Sequence, residues 1–275
     1  MTTSRPVSIA VAPNGGRKNH ADHPALPMTP TELAHVASLC LNAGACMIHV
    51  HVRDPDGRHL LDADAYRAAL GAIAETVGDS LVVQITSESL GIYAPPRQMQ
   101  VIREVRPEAV SLALRELLPD ARGEIEFSAF LEWLRRENVM PQFILYSPNE
   151  AVRLVELQAR GVVPFEKLSV LYVLGRYATG HTSNPADLLP FLSEAMPRFE
   201  HWSTCAFGDQ EAACVLVGAL LGGNIRVGFE NNLLLPNGQI ADGNEELVGV
   251  AREGIRRLGY RPSTAAELRT EWGFR

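Results

Sequence analysis

The sequence predicts a single-domain (β/α)8 TIM barrel, an α/β fold, over residues 1–275, and three observations carry that prediction. Eight short runs rich in β-branched residues alternate with eight longer segments of helical periodicity. Capping residues, prolines and glycines stand where those helices would start and stop. The length of 275 residues is close to the roughly 250 that such a barrel needs.

In chain order the strand runs are 7–12, 46–52, 81–86, 109–113, 142–146, 168–174, 201–206 and 224–229. The helical segments between and after them are 30–43, 63–76, 96–105, 124–136, 148–160, 185–195, 209–221 and 244–258. Strict alternation of this kind reads as a parallel sheet, and closing the sheet gives the barrel. Thr29-Pro30, Ser147-Pro148 and Asn184-Pro185 each place a capping side chain before a first-turn proline. Gly44, Gly161, Gly222 and Gly259 mark helix ends, where a left-handed residue stops the helix. An open dinucleotide-binding sheet is the weaker alternative, because no GxGxxG follows the first run. No linker, low-complexity tract or short repeat divides the chain. Residues 263–275 predict a ninth short helix that covers the barrel or a neighbouring subunit.

The formal net charge of −7 and the absence of a basic stripe argue against nucleic acid as a partner. No segment approaches the roughly 18 uninterrupted apolar residues of a membrane span. Residues 1–11 lack the charged start and long apolar stretch of a secretory leader. Cys40, Cys46, Cys205 and Cys214 show no CxxC spacing and read as buried free thiols of a reducing compartment, so a cytoplasmic location is expected.

The chemistry concentrates in His49-Val50-His51. Two residues apart on a strand, the histidines leave one face, about 6–7 Å apart along it. Ile48, Val50 and Val52 take the opposite face toward the helices, so the imidazoles point into the barrel. An apolar interior is a poor place for two unpartnered imidazoles, and the C-terminal strand end is where barrel enzymes keep their chemistry. A metal site follows, with a hydrogen-bonded core pair as the alternative. A catalytic zinc needs a third ligand and an open position. Glu230 ends the eighth strand, which flanks the first strand on the side opposite the histidine strand, and supplies that ligand unless it is a loop charge. The loop after the first strand, Asn14-Gly15-Gly16-Arg17-Lys18, lies between the two and over the metal. Its glycines permit close backbone approach, and Arg17 offers a planar fork to an anion.

These residues resemble the β-keto acid cleavage enzymes, whose best-known activity is 3-keto-5-aminohexanoate cleavage. The resemblance covers nearly the whole chain and is anchored by Leu26-Pro27-Met28-Thr29-Pro30, by His49 to Asp54 with Gly57, by Gly222 to Glu230, and by the helix start at Asn244. It implies a zinc-dependent barrel, usually a homotetramer, that converts a β-keto acid and acetyl-CoA to acetoacetate and a new acyl-CoA. It also implies that His49, His51 and Glu230 bind one zinc ion and that Arg226 is catalytic. Asn14, Arg17, Thr86, Ser89 and Ser111 form the expected substrate-binding set. Three positions depart from the pattern. Asn231 stands where the characterised relative has an aspartate thought to activate the arginine. Glu88-Ser89 replaces a Gly-Gly pair. Arg17 replaces the glutamate that receives the substrate's amino group. Glu88 is therefore the expected second catalytic residue, restoring a carboxylate from another loop, and an amino-substituted substrate is disfavoured.

Two rivals stand beside this reading. An amidohydrolase-like metal hydrolase also opens with His-x-His, but it would need further ligands where Leu114-Arg115, Tyr146 and Gly175 stand. A noncatalytic metal- or acyl-binding member of the family is the other. His35, His59, His181 and His201 read as structural, with contact to CoA the alternative for His181, while His20 and His23 flank the substrate loop and line the mouth.

Overall fold

Alternation along each β-branched run decides the architecture. In the fourth run Val110 and Leu112 pack outward among the helices, while Ala109 and Ala113 face the axis at its two ends. The computed structural model describes residues 4–178, 180 and 182–273; His181, Phe274 and Arg275 lie outside them. Its barrel strands are β1 (Ile9–Val11), β2 (Met47–Val50), β3 (Val82–Thr86), β4 (Ala109–Ala113), β5 (Met140–Leu145), β6 (Ser169–Leu174), β7 (His201–Ala206) and β8 (Asn224–Val227). All neighbours pair in parallel, and β8 pairs with β1, so the sheet closes into the (β/α)8 barrel.

The surrounding helices are α1 (Pro30–Ala43), α2 (Ala63–Val77), α3 (Pro95–Val105), α4 (Glu124–Arg136), α5 (Pro148–Ala159), α6 (Leu189–Leu192), α7 (Glu211–Leu220) and α8 (Asn244–Arg257). The α1 start is a capping box: Glu32 N donates to Thr29 Oγ1 at 3.3 Å and Thr29 N donates to Glu32 Oε2 at 2.9 Å.

Three departures from the sequence reading have local causes. The sixth helical segment collapses to a 3-10 turn, Pro185–Leu188, and the single turn of α6, because Pro190 has no N–H for a continuous helix. The second run breaks after Val50, and Val52–Arg53 turns away to pair antiparallel with His59–Leu60. The eighth strand stops at Val227 rather than at residue 229. Gly228 follows at φ +136°, and a Cβ there would meet Ala12 O at 2.4 Å, so only glycine lets β8 turn over the end of β1.

The ninth helix, α9 (Ala265–Trp272), closes the bottom of the barrel rather than facing outward. Ala265, Leu268 and Trp272 pack against Ala10, Met47, Val82 and Ala109, the axis-facing residues at the N-terminal strand ends. Arg269 pairs with Glu108 and donates to Leu81 O at 3.0 Å. His201 Nδ1 lies 2.7 Å from Glu271 Oε1, and its ring meets Trp272 edge-on. His201 thus has a structural partner at the end of the barrel away from the mouth. Leu268→Ala is expected to cost about 2–5 kcal/mol, the range for truncating a well-packed core leucine. Denaturant unfolding measures that loss, and the metal content of the folded variant should match wild type because the mouth is at the opposite end.

Candidate metal centre and active site

At the C-terminal rim β2 delivers His49 and His51 to the axis, both about 1% exposed. His51 is fixed through its main chain by Asn14, whose Nδ2 donates to His51 O at 2.9 Å and whose Oδ1 accepts from His51 N at 3.2 Å. The same Nδ2 donates to Pro27 O at 2.9 Å. Asn14 borders the outer part of the mouth, yet its amide is engaged in holding β2 to the loop after β1.

Glu230 arrives from the turn that Gly228 begins. Its N–H donates to Ala12 O at 3.1 Å, and its carbonyl accepts from Lys18 Nζ at 2.8 Å. Gly15, at φ +59°, leaves room for its side chain, since a Cβ there would lie 2.6 Å from Glu230 Cγ. The buried Arg53 holds the same loop by donating to Gly15 O and, at 3.3 Å, to Lys18 O. From behind, Glu211 accepts from Gly228 N at 3.1 Å and from Asn232 Nδ2 at 3.3 Å. Burial pushes the Glu211 carboxyl up to about 8.

Three donor atoms converge as a result. His49 Nε2 and His51 Nε2 are 3.1 Å apart, and Glu230 Oε2 lies 3.7 Å and 3.4 Å from them. Ligand bonds of about 2.0–2.1 Å in a tetrahedron put donor atoms about 3.3 Å apart, so the triangle has the size of a zinc site. Among the described residues this is the one His/Cys/Asp/Glu cluster of that kind.

The protonation states fit a cation as well. His49 Nδ1 lies 2.7 Å from Gln84 Oε1, so the neutral ring carries its proton there and leaves the Nε2 lone pair for the cluster. Burial, and then Arg226, hold His49 well below its ordinary value. Burial opposes ionisation of Glu230, but Arg226 overcomes it and holds the carboxyl well below the usual range. One Glu230 oxygen pairs with the Arg226 guanidinium; the other, Oε2, is buried and has no hydrogen-bond partner among the described residues. An orphaned anionic oxygen facing two imidazole nitrogens fits a divalent cation.

The structure brings His49, His51, Thr86, Glu88, Arg226 and Glu230 around one inner cavity of about 30 Å³. It opens toward an outer cavity of about 480 Å³ bordered by Arg17, Lys18, Glu88, Arg176, Asp209 and Asn231. Ser89 and Ser111 line neither. Ser89 Oγ accepts from Gly91 N at 3.1 Å, and Ser111 lies deeper in the barrel, paired in register with Gln142 below the mouth. His23 is also away from the mouth: it is buried against Phe229, with Nε2 2.8 Å from Ala241 O.

Several supporting residues escaped the sequence reading. Gln84 and Gln142 were legible in principle, as amides at axis-facing positions of otherwise apolar strands. Arg176 follows β6 at the catalytic end of the barrel, and that position alone was a signal. His59 was assigned a structural role, yet its ring lies 5.4 Å from that of His51 and burial pushes it down to about 3. Glu211 gave no signal, because a first-turn glutamate on a helix is ordinarily solvated.

Comparison with known proteins assigns the chain to a family. The model of the beta-keto acid cleavage enzyme family matches residues 6–273. A 3-keto-5-aminohexanoate cleavage enzyme of Fusobacterium nucleatum is 26% identical over 268 residues, 95% of each chain. A 3-oxoadipate:acetyl-CoA acetyltransferase of Cupriavidus necator is 23% identical over 98% of this chain and 96% of its own. A solved binary complex of ObcA with oxaloacetate shares the fold, with a TM-score of 0.70 and 19% identity over 91% of this chain and 67% of that one. The chain belongs to the beta-keto acid cleavage enzyme family.

Proposed function

We propose that the protein is a zinc-dependent acyltransferase that converts a β-keto acid and acetyl-CoA to acetoacetate and a new acyl-CoA. The observation that carries the reading is the convergence of His49 Nε2, His51 Nε2 and Glu230 Oε2 beside a buried Arg226 at the barrel mouth. A divalent ion held there supplies Lewis-acid chemistry to a keto or carboxylate oxygen. Acetyl-CoA as co-substrate follows the activity for which the Cupriavidus necator relative is named.

The chain's own groups do the rest. The Arg226 guanidinium is fixed by Glu230 and presents a permanent positive charge to the inner cavity, where negative charge develops as the α-carbon loses its proton. Asn231 cannot supply the anionic partner that the resemblance expects, and Glu88 brings the other carboxylate of the inner cavity. Thr86, whose Oγ1 accepts from Glu88 N at 3.0 Å, keeps its hydroxyl proton for a substrate oxygen. At the outer cavity Arg17, Lys18 and Arg176 face Glu88, Asp209 and Glu230. Arg226 and a divalent ion tip that balance to positive, which favours an anionic substrate and disfavours an amino-substituted one.

The same reading places the enzyme in the cytoplasm, where the four buried, unpaired cysteines stay reduced, and as a homotetramer. No helix among the described residues is long and apolar enough to cross a membrane. An amidohydrolase-like hydrolase finds less support, since Arg115, Tyr146 and Gly175 stand where its further ligands belong.

Three outcomes are expected. His49→Ala and His51→Ala should each remove the roughly one zinc per chain together with turnover, whereas Glu230→Gln should weaken binding and leave the circular dichroism spectrum intact. Metal analysis of the purified variants decides, and a full zinc complement in the double histidine variant sinks the site. Arg226→Ala should slow turnover about 10²–10³-fold, as expected for a group stabilising transition-state charge, and should lower the melting temperature because Glu230 loses its buried partner. Finally, Arg17→Glu should shift preference from a dicarboxylic toward an amino-substituted β-keto acid. Steady-state kinetics on both substrates test this, and equal discrimination by the two proteins would show that Arg17 does not read substrate charge.

A further inference from the structure

The two histidines of the cluster are held unequally. His49 has an acceptor for its outer nitrogen in Gln84 Oε1 at 2.7 Å. His51 has none: its Nδ1 is shielded from solvent and lacks a hydrogen-bond partner among the described residues. A histidine that gives its Nε2 lone pair to a cation carries its proton on Nδ1, and a buried N–H left unpaired costs about 1–3 kcal/mol. The carboxylate in reach is Glu88, whose Oε2 lies 3.9 Å from His51 Nδ1.

Glu88 is prepared for that contact. Its N–H donates to Thr86 Oγ1 at 3.0 Å, and its carbonyl lies 2.7 Å from His59 Nε2, so the main chain is fixed on both sides. The His59 ring lies 5.4 Å from that of His51. Glu88 Oε1 faces the Arg176 guanidinium at 3.4 Å. Gly16 keeps the approach open, since a Cβ there would lie 3.2 Å from Oε2. The gap between 3.9 Å and hydrogen-bond distance is about 1 Å.

We infer that Glu88 is a positioning residue for the metal centre. Its Oε2 accepts the Nδ1 proton of His51, fixes that tautomer and turns the Nε2 lone pair toward His49 Nε2 and Glu230 Oε2. Arg176 holds the opposite oxygen, so both carboxylate oxygens are committed and Glu88 acts through His51 rather than as the base expected from the sequence. The resemblance places Gly-Gly where this chain has Glu88-Ser89, which makes the device a feature of this chain. The inference rests on the metal reading above.

The test measures zinc affinity by competition with a chromogenic chelator, and the visible spectrum of the cobalt(II)-loaded protein, for wild type, Glu88→Ala, Glu88→Gln and His49→Ala. Glu88→Ala should bind zinc about 10–100-fold more weakly, the usual loss when an orienting partner is removed, and should shift the cobalt spectrum. Glu88→Gln keeps an acceptor oxygen and should recover most of the affinity and the wild-type spectrum. Melting of the metal-free proteins checks that both variants fold. Glu88→Ala that binds zinc as tightly as wild type overturns the inference, and a large loss of turnover in that variant would return Glu88 to direct chemistry. His49→Ala separates the two levels: if it binds zinc like wild type, the metal reading itself fails.

Discussion

A guanidinium and a carboxylate buried side by side set the terms for the rest of the mouth. Arg226 and Glu230 are four residues apart, separated by the glycine turn at Gly228, and each would pay a large desolvation penalty alone. Their pairing makes Glu230 an anion at any physiological pH, and it leaves Oε2 free for the histidines. The turn therefore has to be held rigidly, and three elements converge on it. Glu211 takes the Gly228 N–H from α7, Lys18 takes the Glu230 carbonyl, and Asn244 Oδ1 accepts from Phe229 N at 2.9 Å from the start of α8. Those main-chain groups would otherwise be orphaned by the early end of β8.

The barrel separates this polar assembly from the core that supports it. At the bottom, α9 fills the axis with Leu268 and Trp272 against small and apolar side chains. Above that layer runs a line of amides: His49 to Gln84, then Gln84 Nε2 to Gln142 Oε1 at 3.3 Å, then Gln142 Nε2 to Ser169 Oγ at 3.4 Å. The line crosses from β2 to β6 inside the barrel and fixes which face of Gln84 meets the histidine. Ser111 sits within the same layer without joining it. The orientation of one imidazole at the rim is thus tied to a side chain four strands away.

Much of this was legible in the sequence because the barrel follows from local rules. Helix starts at Pro30 and Pro148 fell where the capping residues put them, and the β-branched runs gave the eight strands. The cluster was legible for the same reason: two histidines two residues apart must share a face, and a strand of known direction fixes which end they occupy. What escaped is partly local detail and partly side chains from distant segments meeting. Pro190 broke a helix that composition alone favoured. Ser89 carries a plausible hydroxyl on the right loop, yet one hydrogen bond to Gly91 N turns it from the cavity. Asn14 sits on the substrate loop, but its amide joins β2 to the β1 loop, a pairing between residues 37 apart that no local pattern announces.

The substitution at position 231 follows from the charges now in place. Glu230 and Glu88 both border the inner cavity, and Asn231 borders it with them. An aspartate there would add a third carboxylate to a small, enclosed space whose two fixed cations, Arg226 and Arg176, already face Glu230 and Glu88. Like charges at that separation in a low-dielectric mouth raise one another's pKa and weaken the hold of Arg226 on Glu230. An amide avoids the repulsion. Its Nδ2 and Oδ1 are both buried and have no hydrogen-bond partner among the described residues. A ligand that offers both an acceptor and a donor satisfies such an amide. Moving the carboxylate from the rim of β8 to the loop after β3 therefore changes what the mouth can bind as well as where its charge sits.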